Sequence, residues 1–291
     1  MANAGSYTTI ATRAIGAEPV FVDVDADSLQ MTLSNLKKSL EATKAIGLKP
    51  KAVVVTHLFG QLNSEIMEIA EFANSEGLIL IEDCAQSIGA SNGSRLAGSF
   101  GALSTFSFFP TKNLGALGDA GAVSGKDSGL LSKIRQLRQY GWGAKYSIEI
   151  PLGRNSRLDE VQAAILRLKL PIVPDWNKKR REIYSQYKES AGTKVKFYSE
   201  PNDSFVGHLC PITVEGFSQQ QLGEHFSSRG IATSVHFPVP DHKQSIELKY
   251  RNLVDLPETE VSCSSLVTIP LFPELTDDEI STVCNALSEL D

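Results

Sequence analysis

The sequence predicts an α/β protein: a larger unit built on a mostly parallel central sheet, followed by a smaller α+β unit. Three observations predict it. Apolar β-branched runs at Ala52–Thr56 and residues 78–81 flank a segment whose Ile66, Ile69, Ala70 and Ala73 recur at helical spacing, the order of a βαβ unit. Pro171 and Pro174 then interrupt a helical pattern that begins around Leu158. Beyond about Ser190 the strands shorten and proline-rich turns follow. The expected division is residues 1–170 for the large domain and 171–291 for the smaller one.

In chain order, residues 19–24 (PVFVDV) are strand-like, and Leu29, Leu33, Leu36 and Leu40 follow at helical spacing. Ala52–Thr56 is a near-continuous apolar run, expected to be buried on both faces with helices on both sides of the sheet. Ser64 is a candidate cap for the next helix. Residues 78–81 form another strand that ends at Glu82 and Asp83. The 158–170 helix breaks at the prolines and resumes over 176–187. A final helix covers 277–290 with Thr276 as its cap. In an open parallel sheet ligands bind beyond the C-terminal strand ends, which draws attention to His57, Asp83 and the stretch after Ser104.

Composition narrows the function classes. The chain has 291 residues, 42% hydrophobic and 21% charged, with a formal net charge of −6. That balance suits a globular protein and argues against general affinity for nucleic acid. The densest basic run, Lys178 to Arg181, reads as a helix face. Cys84, Cys210, Cys263 and Cys284 lie far apart with no CxxC pair, so neither a zinc module nor a disulfide framework is suggested. No apolar run has the length of a membrane span, and the N-terminus lacks a signal layout; a cytoplasmic protein is expected, without membrane or nucleic-acid partners.

Chemistry concentrates in residues 104–121, STFSFFPTKNLGALGDAG. Lys112 emerges from an aromatic strand into Gly-rich turns, and an apolar approach favours the neutral amine that Schiff-base formation needs. The alternative is an exposed loop lysine. Asp83 ends a buried strand, where a carboxylate can keep a pyridinium nitrogen protonated, or simply cap a turn. Ser107 could donate to a phosphate, or be a tolerated strand serine. His57 reads as a site residue or as a buried structural histidine. His236 and His242 read as cleft-lining or as turn histidines.

The order of these signals resembles the DegT/DnrJ/EryC1/StrS family of sugar aminotransferases, of pyridoxal 5'-phosphate (PLP) fold type I. The similarity runs from residue 3 to 290 and includes residues 19–25, 57–61, 153–159 (GRNSRLD), 236–244 (HFPVPDHKQ) and 269–276 (IPLFPELT). The resemblance implies that Lys112 carries PLP and moves the proton during transamination. It implies that Asp83 pairs with the pyridine nitrogen, that Gln86 lies at the ring, and that Ser107 binds the phosphate. Asn155 would reach the cofactor phosphate of a neighbouring subunit, making a homodimer part of the site. Glutamate is the implied amino donor, and a nucleotide-linked keto sugar for polysaccharide or glycan biosynthesis the acceptor. Relatives with histidine at the lysine position dehydrate instead, so Lys112 favours transamination.

The resemblance implies a further upstream segment, and the loop-like start leads to the expectation that Met1 is not the natural start, the frame being truncated or misassigned. The ring-stacking position is ambiguous between Gly5, Tyr7 and Thr8. A second reading follows: a truncated or degenerate relative that binds PLP or a sugar nucleotide without turnover. A nucleotide-binding dehydrogenase is disfavoured because no GxGxxG follows a strand, and residues 121–127 are one residue short of a phosphate loop, with Asp127 in place of Ser/Thr. A zinc hydrolase lacks two histidines at ligand spacing on one helix.

Overall fold

The computed structural model describes residues 1–291. After a short helix α1 (Tyr7–Ala14) come α2 (Leu33–Ala45), β1 (Ala52–Thr56), α3 (Ile66–Ser75), β2 (Ile79–Asp83), β3 (Leu103–Ser107) and β4 (Gly121–Gly125). These four strands form one sheet in the order β1-β2-β3-β4; β1, β2 and β3 are parallel, and β4 runs antiparallel to β3. The mostly parallel sheet expected from the βαβ pattern is present.

Side-chain alternation along these strands gives the sheet two very different faces. Val53, Val55 and Leu80 point into a core with Leu36 and Leu40 of α2 and Ile66, Ile69 and Ala73 of α3. Facing the other way, Ala52, Thr105 and Ile79 are exposed, Ile79 by 49%. The expectation that β1 is buried on both faces, with helices on both sides, is therefore corrected. Helices α2 and α3 cover one face only, and the other is largely open within this chain. The remaining helix of this region, α4 (Ser128–Leu137), buries none of its residues.

Residues 19–24 are not a strand. They carry no regular pairing beyond a single bridge from Val24 to Met31. The Asp23 and Val24 carbonyls accept from the Asn35 amide instead of a neighbouring strand, while Phe21 and Val22 are still buried. The apolar pattern reported burial correctly, but a strand also needs a partner. Leu29 likewise sits outside α2 in a left-handed conformation with φ 56°. Ser64 is not a cap either: α3 starts one residue later than such a cap would place it, after Glu65, whose N–H is held by the Asn63 side chain.

The prolines act as expected. Helix α5 (Glu160–Lys169) passes through a single 3-10 turn, Leu170–Ile172, into α6 (Val173–Ser190). Beyond it, β5 (Val195–Phe197), β6 (Cys210–Val214) and β7 (Val267–Ile269) form an antiparallel sheet in the order β7-β6-β5. Helices α6, α7 (Gln219–Ser227) and α9 (Asp277–Ser288) pack against it, with α8 (Pro257–Ser265) leading into β7. Tyr184, Tyr187, Phe226, Ile280 and Leu287 belong to this second core, separate from the first.

Thr276 caps α9 in a full capping box: its hydroxyl accepts from the Glu279 N–H while the Glu279 carboxylate accepts from the Thr276 N–H. Thr276→Ala is expected to cost about 1 kcal/mol of stability, read as a lower urea midpoint with an unchanged slope.

Candidate active site

Lys112 lies in the loop that follows β3, and backbone bonds fold this loop back on itself. Phe108 N–H donates to Ala120 O at 2.8 Å, Lys112 N–H to Phe109 O at 2.8 Å, and Ala116 N–H to Phe108 O at 2.8 Å. Its floor is apolar: Leu114 and Ala116 pack with Leu166 of α5 and Val173 of α6. Lys112 itself is half-buried, and its Nζ has no protein hydrogen-bond partner. Burial lowers its pKa from the usual 10.5, and the charge of Asp83 opposes that shift. A free, partly desolvated amine close to a carboxylate is the result.

The neighbouring residue explains how Lys112 is held in place. Asn113 is buried and its amide donates to Asn177 Oδ1 and Val206 O, both at 2.8 Å. Its carbonyl oxygen faces His208 Nδ1 at 2.9 Å. Asn177 in turn donates to Ile88 O at 3.0 Å. One asparagine thus ties the lysine loop to α6, to the 206–208 turn and, through Asn177, to the segment after β2. Because the Asn113 amide nitrogen is already donating, its oxygen must accept, so His208 carries its proton on Nδ1 and leaves Nε2 bare.

Asp83 and Ser107 lie on the open face of the sheet. Asp83 pairs in register with Thr105, two residues before Ser107, so alternation points both side chains the same way. The Asp83 carboxylate accepts from Ala85 N–H at 3.1 Å and from the Thr56 hydroxyl at 3.4 Å. Ser107 Oγ accepts from Phe109 N–H at 3.3 Å. Gln86 accepts from Phe59 N–H at 2.6 Å through Oε1, which leaves its amide nitrogen without a protein partner. Asn155 is exposed on the segment after α4, paired with Gln139, and its Oδ1 accepts from Arg157 Nε at 2.9 Å.

Glu82 and His57 point to the opposite face and are fully buried. His57 Nδ1 accepts from Asn63 N–H at 3.1 Å, so its Nε2 donates to Glu82 at 3.0 Å. The other Glu82 donors are the Gly98, Phe100 and Gly101 N–H groups, at 2.6–2.8 Å. Cys84 lies near them, and the three ligand-type groups fall within 4.8 Å of one another. Both ring nitrogens of His57 are already engaged, which assigns it to the core and not to the substrate.

Lys112 also borders a recess of about 540 Å³ lined by the lysine loop, α6 and β7. Arg180, His208, His236, Lys169 and Glu274 bring ionisable groups to its wall. His236 meets Thr268 Oγ1 at 3.1 Å, whereas His242 is turned away against Glu260 at 3.0 Å and does not line the recess. Burial drives the His208 pKa well below 6.5, and the charges of Lys112, Arg180 and His236 add to the effect.

Sequence reasoning gave His208 and Arg180 no role. Arg180 belongs to the basic run expected to form a helix face, yet it sits on the buried stripe of α6 with Val173, Asn177, Ile183, Tyr184 and Tyr187. The available signal was a cation occupying an apolar-stripe position. Tyr7, one of the stacking candidates, is 72% exposed.

An unpaired, partly desolvated lysine within the electrostatic reach of a strand-end aspartate, after a mostly parallel sheet, is an arrangement suited to holding an aldehyde cofactor. The chain belongs to the DegT/DnrJ/EryC1/StrS aminotransferase family, which it matches over residues 4–288. It is 37% identical to a pleiotropic regulatory protein of Geobacillus stearothermophilus, over 94% of this chain and 73% of that protein. It is 35% identical to the UDP-N-acetyl-3-dehydro-alpha-D-glucosamine 3-aminotransferase of Acidithiobacillus ferrooxidans, over 97% of this chain and 75% of that one. The crystal structure of Streptomyces venezuelae DesV with a ketimine intermediate superposes with a TM-score of 0.87 at 32% identity, over 98% of this chain and 75% of that one.

The residues present fit PLP. Lys112 offers the uncommitted amine that an aldehyde requires, Asp83 a fixed carboxylate for a ring nitrogen, and Ser107 a hydroxyl for a phosphate. Gln86 adds a free amide N–H on the same segment as Asp83. No helix is long and apolar enough to cross a membrane.

Proposed function

We propose that the chain transfers an amino group, with PLP bound at Lys112, from glutamate to a keto carbon of a nucleotide-linked sugar. The observation that carries this reading is the half-buried, unpaired Lys112 amine facing Asp83, in a chain of this family. The name of the Acidithiobacillus relative supports the substrate class.

When bound, PLP supplies an electron sink that acidifies the α C–H of the donor. The protein's part is done by named groups. Lys112 holds the cofactor and then, as a neutral amine, takes and returns the proton at the reacting carbon through Nζ. Asp83 keeps the ring nitrogen protonated by placing a negative charge against it. Gln86 contacts the ring edge through its free amide, and Ser107 donates to the phosphate. Asn155, exposed in this chain, is free to serve the site of a second subunit in a homodimer, as the family resemblance implies. The chain divides into a large domain, 1–170, and a smaller one, 171–291; the core of Tyr184, Tyr187, Phe226, Ile280 and Leu287 lies wholly within the second, while Val206 reaches across into the first core. Glycan or polysaccharide biosynthesis in the cytoplasm is the setting that suits such a substrate.

The second reading, binding without turnover, is favoured by the regulatory name of the Geobacillus relative. The two separate on one experiment. Protein loaded with PLP is mixed with glutamate, and the visible band of the lysine-bound cofactor is followed, with release of 2-oxoglutarate measured in parallel. A panel of nucleotide-linked keto sugars is then added. Loss of the band with glutamate and its return with one sugar is the expected result. A stable band through both additions would leave the binding reading in its place.

A further inference from the structure

Arg180 is 8% exposed, and no protein group accepts from it. Its Nε and Nη1 are both buried without a partner. An unpaired N–H inside a protein costs about 1–3 kcal/mol, and more when the group is charged. Burial accordingly lowers its pKa from 12.5 to about 10, and the only opposing influence is the charge of Glu274. The other buried residues of its α6 stripe, Val173, Asn177, Ile183, Tyr184 and Tyr187, are apolar or neutral.

The arginine stem is also confined. Gly207 has φ +61°, and a Cβ there would lie 2.7 Å from Arg180 Cβ and 3.5 Å from Cδ. The turn that carries His208 therefore closes against the arginine stem, and any larger residue would push it away. His208 is fixed by Asn113, the residue next to Lys112. Arg180, His208 and Lys112 consequently share one recess and one set of tethers. Four groups on its wall carry or accept positive charge besides Lys112, against the single carboxylate of Glu274. Lys169 is already donating to Gly115 O at 2.7 Å, which leaves Arg180 as the fixed cation without a partner.

We propose that Arg180 anchors a carboxylate of the amino donor in the recess beside Lys112. The donor is an α-amino acid, and its amine has to reach the carbon held at Lys112. A cation built into the wall that Lys112 borders is placed to hold the other end of so small a molecule. Guanidinium is the group suited to this role, because its planar donors match a carboxylate. His208, neutral with Nε2 bare, adds no competing charge and leaves the anion to Arg180. This assignment rests on the aminotransferase reading and adds to it the residue that selects the donor.

The test uses PLP-loaded protein and glutarate, a dicarboxylate with no amine to transfer, titrated by calorimetry against wild type, Arg180→Gln, Arg180→Lys and Glu274→Gln. Inorganic phosphate is titrated in parallel. Glutarate affinity is expected to fall on the order of 10- to 100-fold in Arg180→Gln, the loss of a charge-assisted hydrogen-bond pair. Arg180→Lys should recover part of it. Glu274→Gln, at an exposed position, should bind glutarate more tightly than wild type. In steady state the KM for glutamate should rise in Arg180→Gln while the KM for the nucleotide sugar stays the same.

Glutarate binding that is absent from wild type, or unchanged in Arg180→Gln, would overturn the proposal. Phosphate binding with the same dependence on Arg180, at equal affinity, would also overturn it in favour of a general anion site. If Arg180→Gln does not fold, the Arg180→Lys and Glu274→Gln titrations decide by themselves: no change in either sinks the idea. Absence of the visible band in wild type counts against the aminotransferase reading alone, because glutarate affinity in the same sample still reports on Arg180.

Discussion

Lys112→Ala is expected to abolish the visible cofactor band and to reduce transamination by roughly four orders of magnitude or more. General acid–base catalysis by a positioned side chain alone contributes about 10²- to 10⁴-fold, and Lys112 also provides the attachment point. The loss should not come from unfolding. The Lys112 Nζ makes no protein hydrogen bond, and the loop is held by Asn113 and by backbone bonds that alanine leaves intact. Near-identical urea curves for the two proteins, with the band absent from one, would separate chemistry from stability. The pH dependence has a definite sign. Burial lowers the Lys112 pKa, so its neutral, reactive form appears at a lower pH than for a free lysine. The rate of cofactor attachment should rise with pH and level off below the 10.5 of an ordinary lysine. A profile that keeps rising past that value would refute the burial argument.

The second large effect is on the fold. Glu82→Ala is expected to cost about 4–5 kcal/mol, the exceptional range reached when a buried polar network is broken. Removal of the carboxylate strands three backbone N–H groups and His57 in a site with no solvent. Glu82→Gln should fare little better. Oε2 accepts from His57 and Gly98, and Oε1 accepts from Phe100 and Gly101, so either orientation of an amide sets its NH₂ against two donors. Urea denaturation of both variants checks this, and a glutamine variant as stable as wild type would refute it.

The same residue sets a pH limit. Burial pushes the Glu82 pKa up, but the His57 hydrogen bond and the backbone donors outweigh it and hold the pKa below the ordinary 4.5. A carboxyl group lowered on folding contributes fully above its unfolded value. That contribution is lost as pH falls from there through the lower folded value. Acid sensitivity below about pH 4.5 should therefore be weaker in Glu82→Ala, which has already lost it.

The sequence was most legible where the deciding information is local. Ala52–Thr56 and the strand ending at Asp83 announce themselves through short runs of apolar residues, and the breaks at Pro171 and Pro174 through a missing donor. Lys112, Asp83, Gln86 and Ser107 fall within one stretch of chain, and the order of the motifs was enough to single them out. Residues 19–24 misled because hydrophobicity records burial, not pairing, and the partner that their carbonyls found was the side chain of Asn35. Beyond Lys112 and His236, the wall of the recess was not legible, for a different reason. Asn113 and His208 are 95 residues apart, and Arg180 is tied to neither in sequence. Only the folded chain shows that a residue inside a basic run faces inward.

The consecutive acids at the end of β2 divide their work by parity: Glu82 turns into the packed layer, Asp83 onto the bare side of the sheet. That difference is electrical. A pair of opposite charges 4 Å apart interacts by about 1 kcal/mol in bulk water and about 4 kcal/mol where the effective permittivity is near 20. In contact with solvent, Asp83 holds a cation only loosely; roofed over, the same carboxylate holds it several times more strongly. Whatever layer comes to lie on that face therefore tunes Asp83 without touching it, and the affinity of the site for its cofactor should track how completely water is kept off the sheet.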